Sequence, residues 1–82
     1  MNKGTILIDE YDVPHIVIND HEAIRVNIDY MDISKVELLD MSKYRQSSQT
    51  LDDVIRNLGI LNEFINKVIT IVKEEFDDTK EG

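Results

Sequence analysis

Two histidines are the residues in this chain best suited to chemistry. His15 and His21 lie six apart, and Asp20 and Glu22 flank His21. Imidazole and carboxylate together can hold a divalent cation or move a proton. A zinc site needs three or four such ligands at defined spacing, and no HExxH or comparable signature is present. Ser34, Ser42, Ser47 and Ser48 have no nucleophile-elbow context. Gly4, Gly59 and Gly82 are too far apart to form a phosphate-cradling loop. Without cysteine there is neither a disulfide framework nor thiolate chemistry. The histidines read as ordinary surface residues. The expectation is a protein that is not an enzyme and uses no metal or cofactor.

Carboxylates are the remaining chemical feature. Seventeen acidic residues against nine basic ones give the 82-residue chain a net charge of −8. The acids fall in small clusters: Asp9, Glu10 and Asp12; Asp20 and Glu22; Asp29 and Asp32; Glu37 and Asp40. Only Arg25 and Lys35 offset these nine. Acidic turns solvate sheet edges and suppress aggregation, which needs no partner. They can also form a negative face that docks a basic protein surface. The sign of the charge argues against direct binding of nucleic acid. No apolar run approaches the roughly 18 residues of a membrane span, and the N-terminus lacks a signal-peptide core. A cytoplasmic location is therefore expected.

The elements that must position these acids come mostly before residue 42. Residues 4–9, 15–19 and 24–30 read as strands, and 35–41 as a fourth with imperfect alternation. Leu38 to Met41 is readable instead as a helical turn. Pro14 separates the first two strands, because it lacks an amide donor. Residues 19–22 supply a polar hairpin connection, and 32–34 a turn. In the third strand Ile24, Val26, Ile28 and Tyr30 face one way, while Arg25, Asn27 and Asp29 face the other. Residues 42–49 have no aliphatic side chain and read as a connector.

From Thr50 to Phe76 the apolar spacing turns helical. Leu51, Val54, Leu58, Leu61, Ile65, Val68 and Val72 form one stripe. Thr50 followed by Asp53 is a weak capping box at its start. The stripe keeps its phase across Gly59, which favours one helix over 50–76. The alternative is a stop at a left-handed Gly59 and a second helix capped by Asn62. Residues 77–82 read as an acidic tail. Strands first and helix last indicate one α+β domain, a small antiparallel sheet of three to four strands with a long C-terminal helix. A 27-residue helix would be about 40 Å long, against about 23 Å for a seven-residue strand. The uncovered stripe then calls for a second copy. Leu61, Ile65, Val68 and Val72 are the expected homodimer contact.

The TILIDEYD and IRVNIDYMD segments, together with the length, acidity, missing cysteine and apolar C-terminal helix, resemble a known group. They look like the small acidic early proteins with which lytic Bacillus phages disable host machinery, most of all inhibitors of the nucleoid protein HU. The resemblance covers the whole chain by general character, without a diagnostic motif. It implies a dimeric DNA mimic that binds a basic DNA-binding protein and displaces DNA. The nine acids from Asp9 to Asp40 would then be the partner-binding residues. Two other readings fit the residues. An antitoxin-like or anti-activator protein would bind through its apolar helix. A small structural subunit would need neither surface.

Overall fold

The hairpin signals in the first 40 residues correspond to four strands that precede both α-helices in the chain. The computed structural model describes residues 2–59 and 61–76. Its strands are β1 (Ile6–Ile8), β2 (Pro14–Val17), β3 (Glu22–Asn27), β4 (Asp32–Glu37) and β5 (Arg45–Ser47). Helices α1 (Leu51–Asn57) and α2 (Asn62–Phe76) follow. The sheet is antiparallel between all neighbours, in the order β4-β3-β2-β1-β5. The described residues are thus α+β, with five strands rather than three to four, and two α-helices rather than one.

Gly59 is where the single-helix expectation fails. Its φ is +67°, which ends α1 after one short run. Thr50 starts that run with the expected capping box: its hydroxyl accepts from the Asp53 amide at 3.1 Å, and Asp53 accepts from the Thr50 amide at 3.0 Å. The stripe keeps its phase because both helices pack on the same sheet face. Ile6, Ile8, Ile16, Ile18, Ile24 and Val26 form one core with Val54, Leu58, Phe64, Val68 and Val72. The stripe that seemed in excess is therefore largely consumed within one chain. Val68 and Val72 are buried in this core, and Leu61 and Ile65 pack at its margin.

The other sheet face is buried as well. Leu7, His15, Val17 and Ala23 point away from the helices, and each is at most 2% exposed. Their cover follows from topology. β4 and β5 run in the same direction on opposite edges of the sheet. Residues 38–44 must therefore cross four strand spacings, about 19 Å. This strap passes over the face opposite the helices, where the Tyr44 ring meets His15 edge-on with centroids 5.0 Å apart. A 3-10 turn at Met41–Lys43 sits within it. His15 is thus buried, contrary to the surface position expected for it.

Three further boundaries differ from the sequence reading. Residues 32–34, expected as a turn, begin β4. β3 ends at Asn27, so Ile28 and Tyr30 lie in the following turn at 39% and 80% exposure instead of in the core. The connector expected over 42–49 contains β5, a strand of polar residues paired only to β1. The acidic tail at 77–82 lies outside the described residues.

Candidate functional site

The nine acids expected to form one face are split between the two ends of the sheet and the strap. The β1–β2 turn (9–13) and the β3–β4 turn (28–31) share one end, carrying Asp9, Glu10, Asp12, Asp29 and Asp32. The β2–β3 turn (18–21) lies at the opposite end, with Asp20, Glu22 and Glu37. Asp40 sits in the strap.

At the first end, most carboxylates have work within the chain. The Asp9 Oδ1 accepts from the Tyr11 and Val13 amides at 2.8 and 3.0 Å, holding a turn whose Asp12 has φ +63°. Arg45, arriving on β5, meets Asp12 at 3.2 Å. Arg25 approaches Asp32 at 3.8 Å. Glu10 and Lys43 both line a shallow groove that also touches Asp9 and Arg45. The Asn27 side chain, buried on β3, accepts from the Asp29 amide at 3.1 Å and fixes the second turn. The strap and β5 therefore return cations to the acids that the strand half leaves unbalanced in sequence.

The second end sets like charges side by side, with Lys3 and Lys35 among its cations. Glu22 and Glu37 are direct cross-strand partners in β3 and β4. Like charges placed so are destabilising. Asp20 adjoins them in the turn, where the Asn19 side chain donates to Glu22 at 2.9 Å and accepts from the His21 amide at 2.8 Å. Lys35, two residues before Glu37, meets Glu75 at 3.5 Å. Glu74 and Glu75 close α2 at this same end, a position where the helix dipole disfavours carboxylates. Glu75 was no candidate on sequence grounds. Its unfavourable place in the last turn was the available signal.

Asp40 has a local structural role. Its Oδ1 accepts from the Ser42 amide at 3.1 Å and the Ser42 hydroxyl at 2.6 Å. Those hydrogen bonds, the hydroxyl first, lower its pKa. The Thr50 amide chiefly does the same for Asp53. The pKa of His15 is lowered as well, for a different reason. Burial lowers its pKa and favours the neutral ring, although the Val13 carbonyl, 3.0 Å from Nδ1, works in the opposite sense. That carbonyl can only accept, so Nδ1 carries the proton.

His15 and His21 do not converge. His15 lies under the strap, and His21 is exposed in the turn at the second end. Among the described residues, no group of three His, Cys, Asp or Glu is placed to hold a metal ion. No helix among them is long and apolar enough to cross a membrane. An open groove of about 440 Å³ runs between the β4 edge and α2, lined by Met31, Asp32, Ile33, Asn66, Lys67, Thr70 and Ile71. It contains one acid and one base and no nucleophile in a catalytic setting. No family model, curated protein or solved structure matches the chain.

Proposed function

We propose that this chain is a non-enzymatic acidic decoy that binds a basic DNA-binding protein and displaces DNA from it. The observation carrying this reading is the facing pair Glu22 and Glu37, at the same end as Asp20 and Glu75 and with Lys3 and Lys35 as cations there. Such a pair opposes folding by a few tenths of a kcal/mol to about 1 kcal/mol. Solubility alone does not require acids to be stacked against each other. Burial of Val68 and Val72 in the chain's own core removes most of the apolar surface that helix docking would need. The partner class is a protein whose basic arms accept carboxylates in place of phosphates, and a nucleoid protein such as HU is the first candidate.

The test is competition between this protein and labelled duplex DNA for HU, read by fluorescence anisotropy. Competition should be strong at about 50 mM salt and fall at about 300 mM, where the screening length is roughly 2.5-fold shorter. Asp20→Lys with Glu22→Lys should abolish it. Because Glu22→Lys relieves the pair with Glu37, the variant should be as stable as the native chain or more so. Glu10→Lys with Asp29→Lys, at the other end, should leave competition nearly intact. Competition that survives Asp20→Lys with Glu22→Lys at 300 mM salt refutes the proposal, as does direct binding to DNA.

A further inference from the structure

Among the described residues, the sheet has one long unpaired edge. β4 spans six residues, is twice as long as β5 at the other edge, and carries neither proline nor glycine. Its hydrogen-bonding phase can be read from one bond. The Leu38 amide donates to the His21 carbonyl at 2.7 Å, and residues 38 and 21 continue the Glu37–Glu22 register. In an antiparallel ladder, hydrogen-bonded and non-bonded pairs alternate. Positions 34 and 36 therefore turn their backbone groups toward β3. Those of Ile33, Lys35 and Glu37 point outward, to the open edge.

We infer that this edge pairs antiparallel with the β4 edge of a second copy of the chain, centred on Val36. Outward-facing residues must form the hydrogen-bonded pairs, which restricts a twofold pairing to a few registers. Centring on Lys35 would place Lys35 against Lys35. Centring on Ser34 would place Ile33 against Lys35 and Asp32 against Val36. Centring on Val36 sets Lys35 of each copy opposite Glu37 of the other, twice by symmetry, and Val36 against Val36. Opposite charges in that geometry stabilise a sheet.

This register also answers the Glu22–Glu37 conflict. The row across the joined sheets becomes Glu22, Glu37, then Lys35 of the second copy. The cation stands beside the glutamate that its own chain sets against another acid. Ile33 comes opposite position 39 of the second copy, where Leu39 is 85% exposed in the single chain. The interface is distinct from any helix contact. It would place two copies of the acidic end on either side of one seam. A six-residue edge buries well below the roughly 1,600 Å² of a standard interface, so the dimer is weak.

Sedimentation velocity on the full chain, run up to about 1 mM to reach a weak association, tests this. The native chain should pass from one copy to two as concentration rises. Lys35→Glu alone should keep it a monomer, and so should Glu37→Lys alone. The double swap, Lys35→Glu with Glu37→Lys, should restore the dimer to within a few-fold of the native midpoint. Circular dichroism on each variant reports folding separately. A native chain that stays monomeric throughout overturns the inference. So does a dimer indifferent to Lys35→Glu, or a folded double swap that does not reassociate. The seam is tested apart from DNA competition, because sedimentation is read on variants that leave Asp20 and Glu22 unchanged.

Discussion

The two faces of the sheet are buried by different means. On one, six aliphatic residues of β1–β3 and the turn after β2 meet two amphipathic helices. On the other, Leu7, His15, Val17 and Ala23 are covered under a diagonal strap whose own hydrophobic residues are partly wasted on solvent: Leu39 is 85% and Met41 41% exposed. A helix brings a continuous stripe that excludes water over its whole length. A strap of seven residues brings few side chains, and Tyr44 is the one that meets the imidazole edge-on. The helix face should therefore carry most of the stability, and the strap face most of the sensitivity to conditions.

The largest expected effect lies on the helix face. Phe64 is 1% exposed and sits at the centre of its core. Phe64→Ala should cost about 3–5 kcal/mol. That is a large share of the roughly 5–15 kcal/mol available to a domain. Urea unfolding should show a correspondingly earlier midpoint or no transition at all. A loss under 1 kcal/mol would mean that the helices do not hold this face. Tyr44→Ala on the strap face should cost less, about 1–2 kcal/mol, from lost ring contact with His15 and exposed apolar area. Equal losses at the two sites would erase the distinction between the faces.

The link between the helices is next in size. Gly59 has φ +67°, and a Cβ placed there would meet nothing within 4 Å. Gly59→Ala should thus cost only the backbone penalty of the left-handed region, about 1–2 kcal/mol. Gly59→Asn should cost less, because Asn tolerates that region. If Ala stabilised the protein, the chain would be a single helix through this point. Thermal unfolding of both variants distinguishes these outcomes.

What the sequence makes legible follows the same division. The helix face announces itself, because period-2 strands and a 3.6-period stripe both depend on apolar side chains. Thr50 and Asp53 mark the start of α1 for the same kind of local reason. The break at Gly59 hides because both helices face one sheet, so the stripe stays in phase across it. β5 hides completely: Arg45, Gln46 and Ser47 have no apolar alternation, and only main-chain pairing to β1 makes them a strand. Without β5, the strap cannot be inferred, nor the burial of His15 beneath it. The acids suffer most. Asp12 and Asp32 look unbalanced along the chain because Arg45 and Arg25 reach them only through the fold.

The smallest expected effect is a slope with pH, and it belongs to the strap face. Burial lowers the pKa of His15 below its ordinary value near 6.5, with Arg25 adding slightly to the shift and Asp9 and the Val13 carbonyl opposing it. The unfolded chain therefore takes up a proton near pH 6.5 while the folded chain resists doing so. Where the unfolded state binds more protons, stability rises with pH. Stability from this group should be fully present above about pH 7 and decline as pH falls through 6.5. The decline should continue until the folded-state pKa is passed. Asp40 and Asp53, with lowered pKa values, lose their contributions in a separate window, below about pH 4. Urea midpoints for the native chain and for His15→Gln, measured from pH 7.5 to 5, isolate the imidazole. The native midpoint should fall toward pH 5, and the variant, though less stable at pH 7.5, should show a flatter profile. Equal slopes would mean that His15 is solvated in the folded chain and that the strap does not seal this face.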